Sequence, residues 1–418
     1  MSPETESYLS HLAVFGVRLG LSRIETLLLR LGNPEKKYKT IHITGTNGKG
    51  SAARFIADAL TACGIKTGLY TSPHLVCYEE RFEVDGGIIS ENDFEETILE
   101  VKRVTDEMAA EGEECPTQFE VLTAVAFLHF ARQKVEYAVI EVGLGGLLDS
   151  TNVIVPEISV ITNVTLEHAD KCGGTLDGVA KHKAGIIKEN IPVVTAAQGM
   201  PLDIIKKVAA EKNSKLYVLG EDFFVEKYEG KLLFSDNMGG TFNYFLKMNA
   251  PYQRENSAVA VETLSVLAKQ EPRINKETSL KAISNSVWAG RFELLDGILL
   301  DGAHNPAGMS ALRKSLDEIY PNEHRTFLLG VLADKAAEEM AKTILRPVDE
   351  VIITSPVSER AMKENQLLSI VKKYAKKVSV AKNINGGVLE LKKREGLKIV
   401  CGSLYLIGAV RKLLNPTS

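Results

Sequence analysis

KTIHITGTNGKGS, Lys39 to Ser51, decides the fold. Its first six residues are a short β-branched run that reads as a strand. Gly45, Thr46, Asn47, Gly48, Lys49, Gly50 and Ser51 form a glycine-rich turn, and the apolar-periodic stretch 51–63 reads as a helix. That order suits an oligophosphate. Glycines let backbone N–H groups turn toward an anion, and the helix N-terminus adds partial positive charge. The lysine reaches the outer phosphates, and the hydroxyl can bind Mg²⁺. The strict pattern G-x-x-x-x-G-K-[ST] is not met, because Ile43 stands at the first glycine and Gly50 follows the lysine. The bland alternative is a tight turn. The loop argues for a nucleoside triphosphate and leaves the reaction open.

The same rhythm continues outward. Residues 65–70, 137–142, 158–163 and 191–195 read as strands, and 119–132 and 176–188 as helices. Such alternation means parallel βαβ units in a doubly wound sheet. Residues 215–245 read as a small antiparallel excursion, and 251–269 as a long helix. A second series begins near 297, with strands at 298–301, 326–331, 350–354, 377–381 and 397–402. The expected architecture is an α/β, P-loop ATPase domain with a parallel sheet over 1–292, then a Rossmann-like α/β domain over 293–418. At 418 residues the chain has room for both. With 44% hydrophobic and 25% charged residues it is neither disordered nor fibrous. The net charge of −4 supplies no general field for nucleic acid, and no apolar run has transmembrane length. The N-terminus lacks a secretory pattern. Five scattered cysteines without CxxC spacing fit reduced thiols in a cytoplasmic compartment.

Other polar residues fall at strand ends, where ligands of open parallel sheets bind. Ser72, Glu141 and His168 lie at or just after three of these ends, and together could complete an Mg²⁺ site with phosphate oxygens. Singly, each has an ordinary structural reading. Lys183 falls in an apolar stripe with Leu176, Ala180 and Ile187. It is either a snorkelling lysine or a desolvated amine with a lowered pKa, able to take up CO₂ as a carbamate. In the second series, Asp301 and His304 follow a strand, and Asn305-Pro306 suits a helix start. Arg291 lies near the expected domain junction.

Taken together the motifs resemble the folylpolyglutamate synthase/dihydrofolate synthase family, within the Mur ligase superfamily. The pieces are LGNPEKKYKTIHITGTNGKGS, YTSPHL, FEVLTAVAF, IEVGLGGLLDSTN, ITNVTLEH, KHKAGIIK, GRFELL, LDGAHNP, TSPVSERA and CGSLYLIGAV, in order over nearly the whole chain. The resemblance implies an ATP-dependent ligase that joins L-glutamate to a folate or dihydropteroate carboxylate through an acyl phosphate. It implies that residues 45–51, with Asn256, Arg291 and Asp301, bind ATP. It implies metal ligation by Ser51, Ser72, Glu141, His168 and a carbamylated Lys183. Phe119, Glu120, Leu148 and Asp149 match pterin-contacting segments, and His304 and Ser403 match glutamate-holding positions. Lys49, Lys183 and His304 are the implied catalytic groups. Two Mg²⁺, and a monovalent cation such as K⁺, are the implied ions. A cytoplasmic monomer acting on small molecules, with no nucleic-acid or membrane partner, is the implied setting.

The chain departs from the family pattern at Leu147 and Ser150 (usually GGRLDATN), at His182 (usually Glu), at Glu167 (commonly Asp), and before Asn256. Two alternatives stand beside the favoured reading within this resemblance: a monofunctional folylpolyglutamate synthase, and a nucleotide-operated binding protein without ligase activity. Peptidoglycan-precursor ligases share the chemistry but carry a UDP-binding domain before the loop, for which 44 residues leave no room.

Overall fold

Eight strands order residues 39–218. They are β1 (Lys39–Thr44), β2 (Thr67–Tyr70), β3 (Phe82–Val84), β4 (Gly87–Ile88), β5 (Tyr137–Glu141), β6 (Ile158–Ile161), β7 (Val193–Thr195) and β8 (Leu216–Val218). The computed structural model describes residues 1–415 except His168 and Met238. The strands lie in the order β4-β3-β2-β5-β1-β6-β7-β8. From β2 to β8 all pairings are parallel. β1 is the point where the succession reverses, with β2 on one side beyond β5 and β6 on the other, and such points receive ligands in doubly wound sheets.

The expected parallel sheet thus holds at its centre, but its edge is antiparallel. β3 runs against β2 and β4 against β3. The cause is local: Asp85 and Gly86 both take positive φ (50° and 78°), the two-residue turn that closes a tight hairpin. Residues 215–245 also differ from expectation, because β8 belongs to the main sheet. Only β9 (Phe223–Tyr228), β10 (Lys231–Asp236) and β11 (Thr241–Tyr244) form a separate antiparallel sheet.

The helices cover the sheet through small or apolar faces. Lys49–Ala62 buries Ala52, Ala53, Phe55, Ile56, Ala59 and Leu60. Gln118–Gln133 is buried over the unbroken run from Glu120 to Phe130, held by a Thr117–Glu120 capping box. Gly68 in β2 leaves space for the Phe130 ring, which a Cβ would meet at 2.9 Å. Two N-terminal helices, Pro3–Ala13 and Ser22–Arg30, and the helix Glu91–Ala110 join the same core.

The last third builds a second sheet from β12 (Glu293–Leu295), β13 (Ile298–Leu300), β14 (Arg325–Leu329), β15 (Glu350–Ile353), β16 (Lys377–Val380) and β17 (Leu397–Cys401). The order is β12-β13-β17-β14-β15-β16, parallel except for β12. Period-two alternation divides its core cleanly. Leu299, Phe327, Leu329, Val351, Ile353 and Ile399 face one cluster, while Ile298, Leu300, Leu328, Ile352 and Val400 face the other. The chain divides into two compact units. The first comprises Met1–His74, Tyr78–Leu246 and Glu255–Ser286, and the second Leu75–Cys77, Lys247–Arg254 and Val287–Ser418.

Candidate functional site

Strand register assembles the first unit's site. Ile43 pairs with Glu141 and Thr44 with Ile161, so the turn after β1 emerges between the ends of β5 and β6. The segment after β6 then grips the turn. Thr46 N donates to Asn163 O (2.8 Å), Asn47 N to Asn163 Oδ1 (2.9 Å), and Thr162 Oγ1 to Asn47 O (2.7 Å). The Thr46 hydroxyl accepts from Thr165 N at 2.9 Å and donates to Thr165 O at 3.1 Å. Gly45 has no room for a side chain, since a Cβ would collide with Thr162. Gly48 caps the helix Lys49–Ala62 with φ 86°, and a Cβ there would collide with the amide of Asn256. Among the described residues no side chain caps that helix. Its N-terminus is therefore of the type that receives an anion, with Lys49 as its first residue and Ser51 buried in its first turn.

Lys183 reaches this turn from below. Its Nζ donates to Gly45 O at 2.7 Å, and the side chain is only 6% exposed. Burial, with the charge of Lys49 adding to it, pushes its pKa down to about 7. The helix carrying it spans Leu176–Ala184, four residues shorter than expected, so Ile187 lies beyond it. Glycines bring it close: a Cβ on Gly146 would meet His182 O at 2.6 Å, and one on Gly185 would press on Leu147. Leu147 N donates to His182 O at 2.7 Å, so two of the chain's departures from the family pattern lie side by side.

Glu141 is buried at the end of β5, and its Oε2 accepts from Ser72 N at 3.1 Å. One carboxylate and the hydroxyls of Ser51 and Ser72 are hard oxygen donors, the kind Mg²⁺ takes alongside phosphate oxygens and water. The donor chemistry therefore fits a nucleotide-borne Mg²⁺. His168 lies outside the described residues.

The substrate candidates separate. Phe119 packs against Gly143, where a Cβ would collide with its ring, and it stacks with Tyr70 at 6.3 Å. Leu148 is half-buried. Asp149 is buried and holds its own loop: Oδ2 accepts from Leu144 N (2.8 Å), and Oδ1 from Thr151 N (3.0 Å) and Thr151 Oγ1 (2.6 Å). Burial still pushes its carboxyl pKa up. Glu120 is equally committed, accepting from Thr117 N at 2.6 Å and from Arg23 Nε at 3.1 Å. Arg23 is a partner that the sequence reading missed, along with Thr162 and Asn163. The ITN string after β6 carried the signal for the last two.

In the second unit, neighbouring β13 and β17 bring two more loops together, and Gly402 N donates to Ala303 O at 2.9 Å. Asp301 is buried and accepts from Tyr252 OH (2.7 Å), Phe292 N (3.1 Å) and Ala303 N (2.9 Å). Burial raises its carboxyl pKa, and Arg291 opposes the rise. Gly302 leaves space for the Arg291 guanidinium. His304 Nδ1 lies 2.7 Å from Gly302 O, and buried Ser403 caps the final helix by accepting from Tyr405 N at 3.2 Å. Lys49, Lys183, Glu141, Ser72 and Asn256 thus belong to one unit, and Arg291, Asp301, His304 and Ser403 to the other.

Comparison with known proteins agrees along the whole chain. The family profile described as Mur ligase middle domain matches residues 43–261, and that described as dihydrofolate synthetase, C-terminal domain, matches 295–414. The chain is 34% identical over 413 residues to the folylpolyglutamate synthase of Lacticaseibacillus casei, covering 94% of each chain. It is similar to the crystal structure of Thermotoga maritima folylpolyglutamate synthase, with TM-score 0.87 and 36% identity over 99% of this chain and 97% of that one. It also resembles E. coli FolC in complex with DHPP and ADP, with TM-score 0.87 and 27% identity over 98% and 97%.

Proposed function

The chain belongs to the folylpolyglutamate synthase/dihydrofolate synthase family of Mur ligases, and on that premise we propose that it joins L-glutamate to the carboxylate of a folate or dihydropteroate at the expense of ATP. The observation that carries this reading is the glycine turn 45–51, uncapped, opening a helix with Lys49, and held from beneath by Lys183. A similar chain, E. coli FolC, is known with ADP and DHPP bound.

A carboxylate oxygen of the substrate bonds to the γ-phosphorus of ATP as the bond to the β–γ bridging oxygen breaks, giving an acyl phosphate and ADP. The amine of glutamate adds to that carbonyl, losing a proton, and phosphate leaves as the tetrahedral adduct collapses. Backbone amides of the turn and Lys49 offset the charge that collects on the phosphate oxygens. Asn256, whose amide lies against Gly48, serves the nucleotide, as do Arg291 and Asp301. Phe119, Glu120, Leu148 and Asp149 serve the pterin substrate, the two acids by fixing the loops that touch it. His304 and Ser403 serve the incoming glutamate. Mg²⁺, held by Ser51, Ser72, Glu141, His168 and Lys183, supplies charge neutralisation on the phosphates when bound. Two such ions, a monovalent cation such as K⁺, and a cytoplasmic monomer complete the reading. No helix among the described residues is long and apolar enough to cross a membrane.

Lys183 serves as a carbamate in this reading. With a pKa of about 7, much of its amine is neutral at physiological pH. The neutral nitrogen adds to the carbon of CO₂ and loses a proton, which turns a buried amine into an anion bearing two oxygens.

The test is phosphate release measured with glutamate and each acceptor separately, followed by product mass. A gain of one glutamyl residue on both acceptors is expected. Product from folate alone would make the chain monofunctional. Nucleotide binding without glutamate-dependent release would make it a binding protein.

A further inference from the structure

The helices Glu91–Ala110 and Gln118–Gln133 share a cavity of about 230 Å³. Asp93, Glu96, Thr97 and Glu100 line it from one helix face, and His129 and Arg132 from the other helix. Phe119 lies ten residues before His129 on that second helix, about 15 Å away along its axis. The cavity is therefore separate from the loops described above.

Most of its polar groups are spoken for. Arg132 pairs with Glu100 and donates to Thr97 Oγ1 at 3.3 Å. Thr97 donates to Asp93 O at 2.6 Å, and Ser90 donates to Asp93 Oδ2 at 2.8 Å. Among the described residues three lining groups are left: His129, Glu96 and the amide of Gln133, which lines the space beside Arg132. His129 is 3% exposed, yet among the described residues its imidazole makes no hydrogen bond. Glu96 is exposed and forms no ion pair among them. Burial holds His129 neutral and pushes its pKa down to about 4, with Arg132 and Lys66 acting the same way and Asp93 opposing. A neutral imidazole offers one acceptor nitrogen. Three carboxylates against one guanidinium leave the cavity negative. Among the described residues no three His, Cys, Asp or Glu are grouped to hold a metal ion.

We propose that this cavity binds a small organic ammonium ion, whose N–H donors are shared between the His129 imidazole and the carboxylates of Asp93 and Glu96. The fit is chemical: an imidazole without a hydrogen-bond partner among the described residues, on a side chain otherwise packed away, beside surplus negative charge, in a polar space too large for a single water.

The probe is 1,4-diaminobutane, titrated into the full-length chain by calorimetry at matched ionic strength, with the His129 imidazole followed by ¹⁵N NMR. Saturable binding that moves the His129 resonance is expected. Glu96→Gln should weaken it several-fold, and Glu107→Gln, elsewhere on the same helix, should leave it unchanged. His129→Gln should abolish the saturable binding seen by calorimetry. Glu96 is exposed, so its variant remains informative if the histidine variant does not fold. Absence of saturation, equal weakening by both glutamate variants, or equal displacement by K⁺ or Mg²⁺ would overturn the proposal.

Discussion

Two strand-to-helix junctions of this molecule invite comparison. After β1 the chain enters the helix Lys49–Ala62 through Gly48, with no side chain capping it. After β13 it enters Pro306–Ile319 through Asn305, whose Oδ1 accepts from Gly308 N at 2.7 Å, with proline at the first helical position. Both lie at the carboxyl ends of parallel strands. The second closes its helix N-terminus internally, with a side-chain acceptor and a residue that lacks an N–H. The first leaves that duty to a ligand and places a lysine beside it. Being a strand end is thus insufficient for phosphate binding; what matters is whether the chain satisfies its own amides.

The largest effect should come from removing the first junction's cation. Lys49→Ala should lower glutamate-dependent phosphate release by roughly 100-fold or more with the thermal midpoint little changed. A mild loss would place the phosphate elsewhere and dissolve the contrast. Lys183→Ala should lower turnover comparably, and short carboxylates such as acetate should restore part of it. In wild type, ¹³CO₂ labelling should give a carbamate signal that grows as pH rises through about 7, because the neutral fraction of Lys183 grows there. No signal at any pH, with no rescue, would leave Lys183 as a packing lysine. Gly48→Ala should weaken ADP binding and stability together, since φ 86° is strained for alanine and Asn256 occupies the space.

At the second junction, Asn305→Ala should cost about 1 kcal/mol of stability, read from denaturant midpoints, with ADP affinity unchanged. Impaired ADP binding would erase the distinction drawn between the junctions. Acid tests the burial of three histidines. Burial depresses His42 to about 3, His74 to about 3 and His129 to about 4, from an ordinary 6.5. Below pH 6.5 the unfolded chain takes up protons that the folded one refuses, so stability should fall progressively from 6.5 toward 4. A flat midpoint across that window would contradict their burial as neutral groups.

Much of this was legible early. The order strand, glycines, lysine, helix placed β1 and its turn, because glycine-rich turns and apolar periods are local properties. The restart of alternation near residue 297 likewise revealed the second sheet. Where reading failed, the causes were specific. The helix bearing Lys183 stops at Ala184 although the apolar stripe runs on to Ile187, which is buried by packing outside the helix. The antiparallel edge at β3 and β4 is set by a two-residue turn easily passed over in a polar stretch. Glu120 is expected in a pterin-contacting segment, yet its carboxylate is taken by Arg23, 97 positions earlier, a pairing no local pattern signals.

The sequence by itself determined the α/β rhythm, the phosphate-type turn and the family, all of which rest on residues adjacent in the chain. Only the tertiary structure decided which polar groups are committed and which stand ready. Asp149 and Asp301 are spent on backbone amides and hydroxyls, Lys183 is desolvated against Gly45 O, and the packed His129 imidazole makes no hydrogen bond among the described residues. Burial and pairing depend on what distant segments bring alongside, and those quantities set whether a charge is stabilised, displaced or left to meet a ligand.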